Sequence, residues 1–176
     1  MSRTSTGAAE SVLFTVVHSP IGQLLVSGER QETATTITGL YIPGHDRRPG
    51  PGWTRADDAF TELRHQLGQY FTGERHDFDL KAKAPGTPFQ HLVWDQLRSI
   101  EYGHTASYGQ VARAVGSPAA AQAVGGANGR NPLSIIVPCH RVVGSNGQQT
   151  GHGKGPSAKS WLLDHERHHL TTTTST

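Results

Sequence analysis

The chain has one cysteine and one methionine in 176 residues, and aromatic residues make up only 7% of it. A single cysteine excludes an intramolecular disulfide framework and suits a reducing compartment. No apolar run approaches the ~18 residues of a membrane-spanning helix, and no signal-peptide pattern opens the chain. The expectation is a cytoplasmic protein with no membrane contact. Charge of one sign is missing too: 16 Lys and Arg stand against 14 Asp and Glu, a formal net charge of +2. So slight a balance neither requires nor excludes nucleic acid, and the placement of the basic residues has to decide. Glycine, at 21 residues, is plentiful and calls for many loops and tight turns. The hydrophobic content of 34% is enough for a core, and the length fits one large or two small domains.

Residues 1–10 are rich in Ser, Thr, Gly and Ala without apolar period and read as a disordered tail. Residues 11–18 and 22–28 read as two strands of a hairpin, and the β-branched stretch 35–42 as a third. A Pro- and Gly-rich loop, 43–53, leads to a helix over 57–71 with Phe60, Leu63, Leu67, Tyr70 and Phe71 on its apolar stripe. Residues 76–80 suggest a short edge strand. This half, 11–80, is a small α+β unit with no evident catalytic constellation. Residues 81–87 form the natural linker to a second half, 88–170, and 171–176 read as another disordered tail.

The second half reads as mostly helical. Thr87 and Pro88 supply a cap and a first position for a helix over 88–100, with Phe89, Leu92, Val93, Leu97 and Ile100 on its stripe. Ser107 caps a short helix over 108–115. A turn at 116–118 leads to an alanine-rich helix over 119–127, which the glycines of 125–132 break. Helix, short turn, helix is the pattern of a helix-turn-helix, although any two packed helices share it. Residues 144–155 form a Gly-rich loop, and a last helix runs from Ser157 to about His168.

The only thiol lies in Ile135-Ile136-Val137-Pro138-Cys139-His140-Arg141-Val142-Val143. An apolar run, read as a strand, enters Pro138, which biases the preceding residue towards extended backbone. Cys139 is therefore expected at a strand end, with a base and a cation following at once. Nearby positive charge lowers a thiol's pKa, so the setting favours a thiolate. A lone cysteine is more often a small buried hydrophobe; the residues around this one argue for reactivity. Adjacent residues on an extended chain point to opposite sides. Direct contact of Cys139 with His140 then requires a backbone turn, or else a bridging water.

The run resembles the active-site motif of the O6-alkylguanine-DNA alkyltransferases. The other landmarks of that family follow in order: GTPFQ and VW within 86–94, SYG at 107–109, AVGGANGRNP at 123–132, IIVPCHRV at 135–142 and WLLDHE at 161–166. The resemblance implies an α+β protein, with an N-terminal ribonuclease H-like α/β domain and a C-terminal winged-helix-like (helix-turn-helix) DNA-binding domain. It implies DNA repair by stoichiometric transfer of an alkyl group from O6-alkylguanine, with O4-alkylthymine as a second candidate, onto Cys139. His140 would accept the thiol proton through a water and Glu166 would orient His140. Asn131 would brace the turn, and Tyr108 would donate a proton to the departing guanine. No cofactor and no metal are implied. The partner would be double-stranded DNA, its damaged nucleotide flipped out to reach the thiol, bound by a monomer with clustering on DNA as an option.

DNA and substrate contacts would come from Gln122, Ala123, Gly125, Arg130, Arg141, His152, Gly153 and Lys154, with Arg113 and Lys159 as further basic candidates. Three positions depart from the family pattern. Gln122 stands where an intercalating arginine is usual, His152 where a tyrosine walls the alkyl pocket, and Lys154 where a glycine is common. These changes bear on adduct range and DNA binding and leave the nucleophile in place. Three other readings compete: a non-repairing lesion sensor or regulator, a cysteine hydrolase, and a metal site from His152, His165, His168 and His169. No hydrolase motif is present, and histidines near a tail are usually solvated.

Overall fold

The computed structural model describes residues 11–45, 47–145 and 157–173. Strands β1 (Leu13–Ser19) and β2 (Gly22–Arg30) form the expected hairpin, and β3 (Thr35–Tyr41) adds to it antiparallel. A two-residue strand, β4 (Thr54–Arg55), pairs parallel with β1, giving the order β3-β2-β1-β4. Such a short strand carries no periodicity, so the sequence did not suggest it. The helical stretch expected over 57–71 divides into a 3-10 turn, Asp57–Phe60, and α1 (Thr61–Phe71). Leu63, Leu67 and Tyr70 of α1 are buried in the apolar core.

Two corrections concern the connection between the halves. Residues 76–80 form no strand. The start of the expected linker is instead tied to the free edge of β3: Ile37 N donates to Lys81 O at 2.8 Å, and Lys83 N donates to Ile37 O at 2.8 Å. A sheet edge needs partners for its backbone groups, and the chain itself supplies them.

In the second half, α2 (Pro88–Leu97) and α3 (Tyr108–Ala114) each begin with a full capping box, Thr87 with Gln90 and Ser107 with Gln110. Leu92, expected in the α2 core stripe, is 55% exposed. Trp94 takes the buried place and donates its indole N–H to Ala127 O at 2.9 Å, pinning α2 to α4 (Ala121–Gly129). Helix α4 runs through Gly125 and Gly126 and does not break there, because Val124, Ala127 and Asn128 hold its inner face. Gly116, at φ +79°, turns the chain between α3 and α4.

Strands β5 (Ala106–Ser107) and β6 (Val142–Val143) pair in parallel, and α5 (Ala158–Thr173) closes the chain. Helix α5 continues to Thr173, so the first residues of the expected C-terminal tail are helical. The expected tail 1–10 and most of the 144–155 loop lie outside the described residues. One apolar cluster runs from Leu24 and Leu40 of the sheet through Tyr70, Trp94 and Val111 to Leu162 of α5. The halves thus share a single core. Among the described residues no helix is long and apolar enough to cross a membrane.

Candidate active site

The segment before the thiol is a wound turn, which corrects the expected strand. Ile135 takes φ +72°, and short-range bonds from Ile136 N to Ser134 O and from Val137 N to Leu133 O, both 2.9 Å, curl the chain. Cys139–Arg141 is a 3-10 turn. Apolar runs of this length are ambiguous in sequence, because burial rather than an extended backbone accounts for the pattern. Two groups hold the curl. Asn131 donates its amide to Val137 O at 2.9 Å and accepts from Leu133 N at 3.0 Å. From the first half, Leu40 N donates to Pro132 O at 2.8 Å and Ser134 N donates to Leu40 O at 3.0 Å.

The turn places Cys139 and His140 together on the wall of a cleft of about 690 Å³. Tyr108, Gln122, Gly125, Asn131 and Lys159 line it as well, and so do residues 42–45 of the first half. Sequence reasoning missed that contribution from the loop after β3, which carries no motif. Ala123 and Arg130 are exposed on α4 and at its end, outside the cleft lining. His152, Gly153 and Lys154 lie outside the described residues.

Behind the cleft is a buried ionic cluster. Glu166, fully buried on α5, accepts from His140 Nε2 at 2.7 Å and from Arg141 at both oxygens, each 2.9 Å. Arg141 also donates to Ile100 O at 2.6 Å and is 5% exposed. That overturns the expectation that Arg141 meets DNA: its guanidinium balances Glu166 inside the protein. A buried carboxylate requires such a partner. Burial alone would raise the Glu166 carboxyl, but its bonds from His140 and Arg141 outweigh that and hold it well below the usual range.

The carboxylate fixes the imidazole's state. Nε2 faces Glu166 and carries the proton, so Nδ1 is left as an acceptor. Nδ1 is buried and has no partner among the described residues. Burial holds His140 below its ordinary pKa, with the Glu166 bond acting against it. The thiol also departs from expectation. Burial pushes Cys139 up, and the Asn131 amide, the Lys159 ammonium and the Ser134 hydroxyl pull it back by less. A free thiolate is therefore not the resting state, and a base must take the proton. The arrangement sets a half-buried thiol next to an imidazole that a buried carboxylate holds in place, the groups from which nucleophilic catalysis is built. Of the histidines considered as metal ligands, His165 Nε2 contacts Tyr70 O at 2.8 Å and His169 Nδ1 contacts His165 O at 2.9 Å, while His152 lies outside the described residues.

Comparison with known proteins gives the same answer as the geometry. Residues 12–84 match the family model described as 6-O-methylguanine DNA methyltransferase, ribonuclease-like domain, and residues 88–168 match that of its DNA binding domain. The methylated-DNA–protein-cysteine methyltransferase of Mycolicibacterium paratuberculosis is 44% identical, covering 89% of this chain and 93% of that protein. The protein of the same name from Methanosarcina acetivorans is 42% identical over 85% of this chain and 95% of its own length. Among solved structures, the Mycobacterium tuberculosis O6-methylguanine methyltransferase superposes with TM-score 0.81 at 41% identity, covering 92% of this chain and 99% of that one. The Mycobacterium tuberculosis OGT in complex with DNA gives 0.79 at 41% identity, with 89% and 94% covered. With both domain models matched in order, relatives this similar along nearly their whole length, and a cysteine, histidine and glutamate assembled at one cleft, the chain belongs to the O6-alkylguanine-DNA alkyltransferase family, the methylated-DNA–protein-cysteine methyltransferases.

Proposed function

We propose that this protein repairs O6-alkylguanine in double-stranded DNA by a single, self-consuming transfer of the alkyl group to Cys139. The observation that carries the assignment to these residues is the cleft wall itself, where a lone thiol stands beside an imidazole whose only uncommitted nitrogen is an acceptor. His140 takes the thiol proton through a bridging water, and Glu166 stabilises the imidazolium that results. The thiolate attacks the alkyl carbon, the carbon–O6 bond breaks, and Tyr108 at the start of α3 donates a proton to the departing guanine. The product is a thioether, which has no carbonyl for water to attack, so turnover stops at one.

The duplex hides its bases, so the nucleotide must be flipped into the cleft at a cost of about a few kcal/mol of unstacking. Gln122 and Ala123 are exposed on α4, where a narrow groove admits small side chains. Gln122 brings no charge and less stacking surface than the arginine usual in the family. We assign an altered adduct range to that change, with His152 and Lys154 contributing. Every group in the chemistry comes from one chain, so a monomer suffices, and a reducing cytoplasmic setting keeps the thiol competent. The lesion-sensor reading loses ground because it gives the thiol and its base no task.

The test is stoichiometry. One equivalent of protein should convert one equivalent of O6-methylguanine in a duplex oligonucleotide to guanine. Cys139→Ser should bind the same duplex and convert none. Repair by the serine variant, or many conversions per protein, would refute the proposal.

A further inference from the structure

Tyr70 belongs to the half of the chain in which the sequence offers no catalytic group, yet its hydroxyl ends inside the active-site cluster. Helix α1 buries the residue fully. The rings of Phe71, Phe78, Tyr102 and His165 surround it at centroid distances of 5.3, 5.6, 6.2 and 5.5 Å. Its carbonyl accepts from His165, and its hydroxyl donates to Glu166 Oε1 at 2.8 Å. Both ends of the residue are thus tied to successive positions of α5. Burial and the neighbouring carboxylate hold the phenol protonated, so Tyr70 remains a donor throughout the working pH range.

Oε1 of Glu166 is shared. Tyr70, His140 Nε2 and the Arg141 guanidinium all reach it, while Oε2 takes Arg141 Nε and Gly103 N at 3.3 Å. These five donors meet about four lone-pair sites, so they compete. We propose that Tyr70 is a positioning residue for alkyl transfer: by sharing Glu166 Oε1 with His140 and Arg141, it limits the negative charge that the carboxylate presents to the imidazole. The inference rests on the proposed function above and gives the first half of the chain a part in it. The other ionisable groups facing this cluster are Tyr102, pushed up to about 12 by burial and by Glu166, together with Arg141, Lys159 and His165. Tyr102 carries His76 stacked on its ring at 3.8 Å. Tyr102 stays neutral near neutral pH. His165, held below its ordinary value chiefly by burial, is common to every variant compared below.

The experiment reads His140 in the DNA-free protein by side-chain NMR titration, and the pH dependence of single-turnover transfer beside it. Tyr70→Phe removes one competing donor, so the carboxylate holds the imidazolium more firmly. His140 should then titrate about half a unit to one unit higher. The acid limb of transfer should move up with it, slowing transfer at pH values well down that limb by about three- to tenfold. Replacing Tyr70 with 3-fluorotyrosine, an isosteric and stronger donor, should shift both the opposite way. Leu67→Val, buried in the same helix without touching Glu166, should lower the melting temperature and leave both readouts in place. If His140 and the acid limb in Tyr70→Phe coincide with the parent or move down, the inference is overturned and Tyr70 is a packing residue. If the parent protein transfers nothing, the proposed function falls, and the His140 titration still decides the role of Tyr70.

Discussion

His140 Nε2 and Glu166 Oε1 are 2.7 Å apart in the interior, the histidine side chain 2% exposed and the glutamate 0%. That contact leaves the other ring nitrogen as an acceptor and sets a counter-charge beside the imidazole. Glu166→Gln keeps the shape and removes the charge. It leaves the Arg141 guanidinium buried without a counter-ion, which should cost about 3–5 kcal/mol of stability. Transfer should slow by about 100-fold or more as base catalysis is lost. Denaturant unfolding and quenched single-turnover assays read the two effects separately.

Stability should fall on the acid side of neutrality. His140 and His165 sit below their ordinary values in the folded protein, chiefly through burial. Unfolded histidines take up protons from about pH 6.5 downward while the folded ones resist, so the unfolded state gains. Their contribution is complete above that value and is lost as pH falls through the depressed folded values. Glu166, also held low, adds a second loss below about pH 4.3. Cys139 is raised, so its contribution is present below about pH 8.5 and declines as pH rises beyond it. Melting temperature against pH should show a plateau near neutrality with both shoulders. A flat profile from pH 7 to 5 would contradict the buried-histidine account.

Asn131 should matter through the backbone it ties. Asn131→Ala strands Val137 O and Leu133 N in the interior, at about 2–4 kcal/mol for the two. Ile135→Gly makes a sharper comparison at the same turn. Glycine relieves about 1–2 kcal/mol of left-handed strain, while the buried side chain is worth about 1.5–3 kcal/mol. Loss of burial wins, so the variant should be less stable by about 1 kcal/mol. Equilibrium unfolding of each variant reads these differences.

The DNA surface and the buried cluster should separate under salt. Arg130 is exposed and Arg141 is buried on Glu166. Arg130→Ala should weaken DNA binding and lower the slope of log affinity against log salt by about 1. Arg141→Ala should instead reduce folding stability. Gln122→Arg should raise the salt slope by about 1 and speed repair of a methylated duplex. Repair indistinguishable from the parent would remove Gln122 as the source of an altered preference.

The sequence carried most of the helices, their caps and the pairing of thiol with imidazole, because these reside in local chemistry. Ser107 reads as a cap wherever it stands, and Cys139-His140 is adjacent in the chain. What sequence did not show arises from contacts across the fold. An apolar stretch at 135–138 fits a strand or a buried turn equally, and the bonds from Asn131 just upstream and from Leu40, distant in sequence, select the turn. Arg141 looked like a DNA contact because its counter-ion lies 25 positions away on another helix. Tyr70 offered one signal: an aromatic on a core stripe whose hydroxyl needs a buried partner. The partner's identity could not be read from α1.

The central claim is that Cys139 itself receives the alkyl group, and intact-mass spectrometry tests it most directly. The protein is incubated with a duplex carrying one O6-methylguanine, beside Cys139→Ser and an unmodified duplex. The account predicts a single mass gain of one methylene unit, located at Cys139 by peptide mapping and absent from both controls. An unchanged mass while the lesion disappears, or a gain that survives Cys139→Ser, would contradict it.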